Sequence, residues 1–366
     1  MDNMIIPKPG ECSLVDVMPA ALGRSPRPDP PLDLLDQPPG PIVLVVIDGL
    51  GWEQMGARLA LAPTLASLVG GPICSVAPST TAVALTSLTT GLTPSEHGVL
   101  GYRMVVDGEV FNTLRWSTPS WPDARRSIPA DSVQTFEPFL GDKVSVVTKA
   151  EFAKTGFTQA HLRGGRLDNY RTLSALVQKV AWSARAGEAL TYCYYDGLDK
   201  VGHEYGLGEV YDQELKFVDR LVADIIDAVP SQTTVVVTAD HGLVDCGNRV
   251  IPLDRDLESY VGSLSGEGRF RWLHAKPGCQ TELLEAAESC HGGHAWVRSI
   301  EQIIDEQWFG RFMSPSHRAR LGDVALVASE PVAFDDPDDG GPFNLVGRHG
   351  SLTSEEMLVP FVGSVV

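Results

Sequence analysis

The sequence lacks the features that define several broad classes of protein. Its six cysteines are irregularly spaced and form no Cys-x-x-Cys pair, which argues against both a zinc ribbon and a dense disulfide framework. No stretch approaches the roughly 20 consecutive apolar residues that span a bilayer. The N-terminus also lacks the basic start and following apolar run of a secretory signal. We therefore predict a cytoplasmic protein without a membrane span.

Positive charge is also scarce. Lys and Arg number 29 against 47 Asp and Glu, which gives a net charge of −18. Such a chain has no general electrostatic attraction for nucleic-acid phosphates or anionic lipid, although solubility alone would explain the negative charge. We expect a small molecule as the ligand and no nucleic-acid polymer, and the sequence leaves the oligomeric state open.

Proline is concentrated near the N-terminus, where residues 1–40 contain nine of the 26 prolines. Proline lacks a backbone donor and fixes φ, so we predict that this segment is an extended leader. The leader is either disordered or wrapped over the protein surface through Leu32, Leu34 and Leu35. Residues 41–366 are then expected to form one large domain.

Apolar runs alternate with helical patterns through this domain. Pro41 is followed by IVLVVIDG, a continuous apolar run of the kind found in parallel strands that are covered on both faces. The apolar spacing at 209–229 is that of an amphipathic helix. The alternation predicts an α/β sandwich with a mostly parallel central sheet and helices on both faces. Further strand-like runs occur at 143–148, 190–197, 233–242 and 323–329.

A region at about 250–322 breaks this alternation. RFRWLHAK and HAWVRSI have the pattern of strands, whereas TELLEAAESC and IEQIIDEQWFG have the pattern of helices. We predict a small α+β cap that is inserted before the last strand of the central sheet. The acidic segment FDDPDDGGPFN, at 334–344, is then a long loop that leads to the sequence Gly-Arg-His-Gly at 347–350.

Aspartates follow three of the predicted strands directly. Asp48 follows the first strand, Asp196 and then Asp199 come at the end of the run at 190–197, and Asp240 ends the apolar run VVTAD. Because ligands of open α/β sheets bind beyond the carboxyl ends of the strands, we expect these acids to converge. An isolated Asp-Gly after a strand is usually only a turn. However, His203 lies four residues after Asp199, on the same helical face, and His241 directly follows Asp240.

The residue types in this group indicate a metal centre. Carboxylates mixed with imidazoles suit Zn²⁺ and tolerate Mn²⁺ or Fe, whereas ligands that are all oxygen would favour Mg²⁺ or Ca²⁺. Two divalent cations would also neutralise aspartates that could not otherwise stay ionised at close quarters. We therefore predict two divalent metal ions, with zinc as the first choice.

A candidate nucleophile lies in the segment 77–91, which is rich in Ser and Thr. Pro78 and Ser79 provide the start of a helix, so Thr80 and Thr81 lie in its first turn. There the helix dipole and the free N–H groups favour an alkoxide and a bound phosphoryl oxygen. A hydroxyl at such a place is more often a helix cap. Spacing alone leaves all three hydroxyl residues as candidates.

In their order along the chain, these motifs resemble the nucleotide pyrophosphatase/phosphodiesterase branch of the alkaline phosphatase superfamily. The matching pieces are IDGLG, PSTTAVALTSLTTGLTPSEHG, DKVGHEYG, ADHG and GRHG, and they span about residues 42–350. The resemblance implies an alkaline-phosphatase-like three-layer sandwich that carries two zinc ions. It places one ion on Asp48, Thr81, Asp240 and His241, and the other on Asp199, His203 and His349.

The resemblance also implies that Thr81 is the nucleophile and that the reaction passes through a phospho-threonine intermediate. One position departs from the family's better-known phosphodiesterases, which place an asparagine side chain against the transferred phosphoryl group. Here Tyr102 occupies that position and Arg103 follows it. Either side chain could donate to a phosphoryl oxygen, and an arginine would favour a more highly charged monoester.

The sequence therefore predicts a phosphodiesterase or nucleotide pyrophosphatase that acts on a small phosphate ester such as a nucleotide. A phosphomonoesterase and a phosphonate hydrolase are alternatives on the same site. A non-catalytic scaffold is the remote alternative, and it would be expected to have lost at least one of the metal ligands.

Overall fold

The fold is that of a computed structural model, which describes residues 4–8, 10–25, 28–36, 38–340 and 345–366. Its strands are, in chain order, β1 (Ile42–Ile47), β2 (Val69–Cys74), β3 (Arg103–Val106), β4 (Glu109–Asn112), β5 (Ser145–Val147), β6 (Arg166–Leu167), β7 (Leu190–Tyr195), β8 (Thr234–Thr238), β9 (Val244–Asp245), β10 (Val250–Ile251), β11 (Val261–Glu267), β12 (Phe270–Ala275), β13 (Ala295–Ser299), β14 (Val324–Ala328), β15 (Ala333–Phe334), β16 (Gly347–Arg348) and β17 (Leu358–Val365).

Its α-helices are α1 (Leu14–Ala21), α2 (Trp52–Gly56), α3 (Pro63–Ser67), α4 (Thr81–Thr90), α5 (Pro94–His97), α6 (Ala130–Val133), α7 (Gly156–Leu162), α8 (Leu173–Arg185), α9 (Gly197–Tyr205), α10 (Glu209–Ala228), α11 (Arg255–Glu258), α12 (Gln280–His291), α13 (Ile300–Asp305), α14 (Pro315–Arg318) and α15 (Ser354–Met357). Short 3-10 segments lie at Leu32–Leu35, Leu59–Leu61 and Pro138–Gly141. Among the described residues, none of these helices combines the length and the apolar character that crossing a membrane requires.

The central sheet has seven strands in the order β2-β17-β8-β1-β7-β5-β6. β8, β1, β7, β5 and β6 run parallel, whereas β17 is antiparallel to both of its neighbours. The residues of β1 are all buried, so both faces of the sheet are covered there, as its continuous apolar run predicts. The predicted α/β fold with a mostly parallel sheet is confirmed.

The carboxyl ends of three central strands lie side by side. Ile47 at the end of β1 pairs with Tyr195 at the end of β7. On the other side of β1, Val46 pairs with Thr238 at the end of β8. The segments that follow these strands therefore start at one edge of the sheet, where ligands of open α/β sheets bind.

A second, antiparallel sheet, called the small sheet below, has the order β11-β12-β14-β13. The apolar run at 323–329 is predicted from the sequence to be the last strand of the central sheet. It instead forms β14 of the small sheet, so this prediction is wrong. The reason is that the small sheet is also covered on both faces. Ala325 and Val327 pack into the main core, whereas Val324 and Leu326 pack into a separate apolar cluster.

The N-terminal segment contains a helix, α1, although its proline content predicts an extended leader. Leu14, Val17 and Met18 are fully buried, at the i, i+3 and i+4 positions of one helical face. Pro19 lies inside the helix and approaches Gly91 at the end of α4. Burial of this apolar face therefore outweighs the hydrogen bond that proline cannot make.

Two of the predicted segments are described only in part. In the leader, residues 1–3, 9, 26, 27 and 37 lie outside the described residues. In the predicted loop at 334–344, residues 341–344 also lie outside them, and the chain is described again from 345. Leu32 and Leu35 are buried in the main core, in agreement with a leader that packs on the domain.

Candidate metal centre

Seven side chains that the sequence analysis assigns to metal ions come from five separate segments. These segments follow β1, open α4, form α9, follow β8 and follow β16. We call these seven residues the ligand cluster: Asp48, Thr81, Asp199, His203, Asp240, His241 and His349.

One part of the cluster, called the first site, is centred on a buried histidine. Ligand atoms of Asp48, Asp240 and His241 all lie within 4.8 Å of one another. His241 Nε2 is 3.4 Å from Asp48 Oδ1 and 3.4 Å from Asp240 Oδ2. The hydroxyl oxygen of Thr81 lies 3.1 Å from the same Nε2 atom. These four residues are the ones that the family resemblance places on one ion.

The other part, called the second site, contains the remaining three residues. His203 Nε2 lies 3.3 Å from Asp199 Oδ2, one helical turn away in α9. Ligand atoms of Asp199, His349 and His241 lie within 4.8 Å of one another. The rings of His349 and His241 are stacked with centroids 3.7 Å apart. His241 is thus within reach of both sites, whereas the resemblance assigns it to one ion only.

Three carboxylate oxygens of the cluster support metal binding. Among the described residues, Asp48 Oδ1, Asp199 Oδ1 and Asp240 Oδ2 are buried and have no hydrogen-bond partner. A buried carboxylate oxygen without a partner is costly, and native structures contain few of them. Bound cations would satisfy all three atoms. The residues present therefore fit the two ions that the sequence predicts.

The histidines of the cluster are held in one tautomer. Each has its Nδ1 atom beside a backbone carbonyl, which can only accept a hydrogen bond, so Nδ1 carries the proton. The Nε2 lone pair is then free for a cation, as in metal sites whose histidines are oriented by a second hydrogen bond. The acceptors are the carbonyls of Gly347, Gly242 and Ser79, at 2.8, 3.1 and 2.9 Å from the Nδ1 atoms of His203, His241 and His349.

The aspartates of the first site are oriented in a similar way. Tyr194 donates its phenol hydrogen to Asp48 Oδ2, so the orphan oxygen Oδ1 is the one left for a cation. Asp240 Oδ1 accepts the backbone N–H groups of Gly49 and His241, at 3.2 and 3.0 Å, and its Oδ2 is left. Each carboxylate therefore has one oxygen fixed by the protein and the other free.

Burial dominates the electrostatics of the cluster. It raises the pKa of Asp48 well above its usual value, and the neighbouring Asp240 raises it further. It also raises the pKa of Asp199, against the opposing effect of nearby imidazoles. Burial lowers the pKa of His349 well below its usual value. A divalent cation would counteract these shifts, because it stabilises the deprotonated carboxylate and the neutral imidazole.

The three candidate hydroxyl groups of the 77–91 segment have different surroundings. Ser79 Oγ donates to the carbonyl of Ser351 at 2.7 Å and accepts the N–H of Gly350 at 3.2 Å. Thr80 is the buried residue before α4, and it lowers the pKa of the neighbouring Glu267 carboxyl group against the larger effect of burial. Thr81, the first residue of α4, is the one whose hydroxyl contacts the ligand cluster. The geometry thus separates three candidates that spacing left together.

The two predicted substrate contacts, Tyr102 and Arg103, interact with residues outside the ligand cluster. The Arg103 guanidinium is largely buried, pairs with Asp336 and lies 3.8 Å from Asp339. Burial raises the pKa of Tyr102, and Asp339 raises it further. Among the described residues, no hydrogen bond or ion pair links Tyr102 or Arg103 to the cluster. Their role toward a substrate stays a prediction.

Sequence reasoning did not find the residues that orient the ligands. Tyr194 lies in β7 opposite Val46 of β1, two residues before Asp48, so cross-strand register could have indicated it. Asp196, near Asp199 in sequence, instead pairs with Lys149 and lies 2.7 Å from Lys200 Nζ. The apolar strand run gave no signal of these polar contacts.

The sequence matches one family model over most of its length. The model is that of the type I phosphodiesterase / nucleotide pyrophosphatase family, and it covers residues 42–352. The GPI ethanolamine phosphate transferase 3 of Eremothecium gossypii is 31% identical over 128 residues, which are 34% of this chain and 11% of the transferase. The bis(5'-adenosyl)-triphosphatase of Xenopus laevis is 22% identical, over 76% of this chain and 61% of that protein. The chain spans less than two thirds of both curated relatives.

Solved structures share the fold. Murine ectonucleotide pyrophosphatase/phosphodiesterase 5 has a TM-score of 0.67 at 20% identity, with 88% of this chain and 87% of that chain covered. An inactive variant of it in complex with AMP has a TM-score of 0.66 at 19% identity, with the same coverage. Phosphonoacetate hydrolase from Sinorhizobium meliloti 1021, in complex with phosphonoformate, has a TM-score of 0.64 at 18% identity, with 89% and 90% covered. The predicted alkaline-phosphatase-like fold is confirmed.

Proposed function

The chain belongs to the type I phosphodiesterase/nucleotide pyrophosphatase family, and from that premise we propose that it is a two-metal hydrolase of phosphodiester or pyrophosphate bonds in small molecules. The observation that carries the proposal is the position of the Thr81 hydroxyl. Its oxygen lies 3.1 Å from Nε2 of His241, the residue within reach of both sites. A hydroxyl beside two cation sites is placed to attack a phosphorus atom held there.

Zinc is the proposed metal. Two-metal sites are typical of the family, and the ligand cluster offers the carboxylates and imidazoles that zinc prefers. Manganese and iron accept the same ligands. When bound, the ions would supply the positive charge that lowers the pKa of the Thr81 hydroxyl and stabilises the phosphoryl and leaving oxygens.

The proposed reaction has two displacements at phosphorus. Thr81, having lost its hydroxyl proton, forms an Oγ1–P bond while the bond from phosphorus to the leaving oxygen breaks, and the leaving oxygen takes up a proton. The product of this step is a phospho-threonine that still carries the other ester or phosphate substituent of the substrate. Water then attacks the phosphorus and loses a proton, the Oγ1–P bond breaks, and the threonine oxygen takes up a proton, which restores the hydroxyl.

The start of α4 contributes to this reaction through its backbone. Thr81 is the first helical residue, and Thr80 before it has extended backbone angles. The first N–H groups of a helix have no partner within the helix, and the positive end of the helix dipole lies there. Both favour a phosphoryl oxygen at this point. The nucleophile and an anion-binding helix end are therefore supplied by the same segment.

The relatives support a nucleotide-like substrate. The variant of murine ectonucleotide pyrophosphatase/phosphodiesterase 5 that was solved with AMP is an inactive threonine-to-alanine substitution. The Xenopus laevis relative is a bis(5'-adenosyl)-triphosphatase. The first description fits an activity that depends on a threonine, and the second fits cleavage of a nucleotide phosphate. We propose the same substrate class for this chain, and a cytoplasmic location remains a prediction from the sequence.

The surroundings of Arg103 favour a diester over a monoester. The sequence alone allowed this arginine to bind the extra charge of a monoester. Its guanidinium is instead paired with Asp336, which also lies 3.2 Å from Nη1 of Arg271. An arginine that is neutralised by a buried carboxylate has little attraction left for a dianionic phosphoryl group.

A substrate panel tests the proposed function. The zinc-loaded protein is assayed for kcat/KM on bis-p-nitrophenyl phosphate, p-nitrophenyl phosphate, a dinucleoside polyphosphate and phosphonoacetate. We expect the diester or the dinucleotide to be preferred at least tenfold over the monoester. A large preference for the monoester or for phosphonoacetate would replace the proposed activity by one of the two alternatives. A protein that binds metal but cleaves none of these substrates would support the non-catalytic scaffold.

A further inference from the structure

We propose that Glu267, from the small sheet, is a positioning residue for His349 and sets how tightly the second site holds its ion. The inference rests on the metal centre of the proposed function. Glu267 is the last residue of β11, where the hairpin to β12 turns, and it is 8% exposed. Its Oε2 atom lies 3.6 Å from Nδ1 of His349.

The Glu267 carboxylate lies beside the Nδ1 edge of the His349 ring, away from Nε2, the atom that would bind the cation. Nδ1 donates to the carbonyl of Ser79 at 2.9 Å, so the N–H side of the ring faces both this carbonyl and the Glu267 carboxylate. A cation at Nε2 withdraws electrons from the ring, and negative charge near the N–H stabilises the resulting positive charge. Glu267 is therefore placed to strengthen His349 as a ligand without touching the ion.

His349 differs in this respect from the other histidines of the cluster. The carboxylates within ion-pair distance of His203 and His241 lie at Nε2, and they are themselves members of the ligand cluster. Among the described residues, His349 is the one with a carboxylate from outside the cluster beside its Nδ1. The small sheet thus acts on one site and not on the other.

Two glycines permit this close approach. A Cβ atom on Gly350 would lie 2.7 Å from Cδ of Glu267, and the φ of Gly350 is +122°, which side chains rarely allow. A Cβ atom on Gly268 would lie 2.8 Å from Nη1 of Arg348. On both sides of the carboxylate, a glycine of one segment therefore packs against a side chain of the other.

The hairpin is held in place independently of Glu267. Nε and Nη2 of Arg269 donate to the two oxygens of Glu356, each at 2.7 Å, in a fully buried bidentate pair. Oε1 of Glu356 also accepts the N–H of Ser351 at 2.9 Å, two residues after His349. A substitution of Glu267 therefore removes the carboxylate while the hairpin stays anchored.

The remaining oxygen of Glu267 agrees with a role toward a cation. Oε1 is buried and has no hydrogen-bond partner among the described residues. Burial raises the pKa of Glu267 well above its usual value, and Arg271 opposes this shift only in part. A cation bound by His349 would favour the charged carboxylate further.

Titration of the metal-free full-length protein with Zn²⁺ against a chromophoric chelator tests the inference. We expect Glu267→Gln, which keeps the shape and removes the charge, to weaken one of two bound ions about tenfold and to leave the other unchanged. Glu267→Asp, which keeps the charge, should lie closer to wild type. Glu285→Gln, an exposed glutamate in α12, is the matched control and should have no effect.

A double-mutant cycle with His349→Ala separates positioning from a general structural effect. His349→Ala should weaken the same ion, and adding Glu267→Gln to it should cost nothing further. Equal weakening of both ions, additive effects in the cycle, an unchanged Glu267→Gln titration, or a wild type that binds no ion would overturn the inference. Two tightly bound ions without any ester hydrolysis would contradict the proposed function alone.

Discussion

The phenol of Tyr194 donates a hydrogen bond to Asp48, from the neighbouring strand of the central sheet. The bond occupies Asp48 Oδ2, while Oδ1 is buried beside His241 Nε2, 3.4 Å away. A strand with no polar pattern thus supplies the group that decides which oxygen of the first ligand faces a cation. At the carboxyl edge of the sheet, the orientation of the metal ligands therefore depends on residues that hydrogen-bond to them, such as Tyr194.

Removing this phenol should weaken the first site. In Tyr194→Phe, Asp48 keeps its place after β1 but loses the donor that orients it. Such supporting contacts are worth about 10–100-fold in metal affinity. We expect one of two Zn²⁺ ions to bind at least tenfold more weakly in a chelator competition titration. Tyr260→Phe, beside the apolar cluster of the small sheet, is the control. Equal affinities in wild type and Tyr194→Phe would show that the hydrogen bond does not orient Asp48.

Metal removal should destabilise the protein. Without cations, Asp48, Asp199 and Asp240 each keep a buried oxygen without a partner. A ligand that binds only the folded state stabilises it by about 2.7 kcal/mol at 100 times its Kd. We therefore expect Tm to fall by several degrees after treatment with a chelator and to recover with added Zn²⁺. Identical melting curves with and without zinc would contradict a metal centre.

His97 should make stability depend on pH. Burial lowers its pKa to about 3, with His317 and Arg320 lowering it further. Its Nδ1 accepts the N–H of Val99 at 3.1 Å, which requires the neutral ring, and its Nε2 lies 2.9 Å from Ser87 Oγ. In the unfolded chain it titrates near 6.5, so between about pH 6.5 and 3 the unfolded state binds the extra proton. Stability contributed by the neutral ring is therefore lost as pH falls below about 6.5.

The expected size of this effect is about 2 kcal/mol between pH 7 and 5. Urea unfolding of the metal-free wild type and of metal-free His97→Gln measures it, because the pH dependence that comes from the ligand cluster is common to both proteins. Between about pH 6.5 and 3, unfolding of wild type takes up about one proton at His97, and His97→Gln lacks this uptake. The free energy of unfolding should therefore fall less steeply with falling pH in His97→Gln than in wild type. If both proteins show the same pH dependence, the buried ring is protonated in the folded state as well.

Arg103 should matter for stability more than for substrate preference. Its guanidinium and Asp336 are both buried, and removing one partner of such a pair costs about 3 kcal/mol. We expect Arg103→Ala to lose roughly that much in urea unfolding, while the exposed Arg115→Ala loses little. The ratio of kcat/KM for diester and monoester should stay within about twofold of wild type. A collapse of monoester hydrolysis alone would instead make Arg103 a substrate contact.

Much of the centre could be predicted because its residues follow strands. Asp48 and Asp240 stand directly after apolar runs, and Asp199 and His203 share a helical face, so local pattern and sheet geometry together indicate convergence. The order of the motifs supplied the register that selects Thr81. His349 came from the same resemblance, because no local pattern marks it as a ligand.

The remaining features depend on contacts that local sequence does not encode. A strand is buried on both faces in the small sheet as well as in the central sheet, so the apolar pattern at 323–329 does not indicate which of the two sheets it joins. α1 forms because Leu14, Val17 and Met18 meet the main core, which outweighs the local effect of proline. Glu267 reaches His349 from a hairpin that is distant in sequence, and a lone glutamate in a strand gives no signal of such a partner.

The most direct test of the central claim is hydrolysis of bis-p-nitrophenyl phosphate by Thr81→Ala, with metal content measured on the same sample. We predict two bound zinc ions in the variant and a loss of at least a thousandfold in kcat/KM, because the other ligands remain and only the attacking oxygen is gone. Thr90→Ala, at the other end of α4, where the hydroxyl donates to the carbonyl of Thr86, serves as the control and should stay active. A Thr81→Ala variant that keeps two zinc ions and cleaves the diester at the wild-type rate would contradict the account.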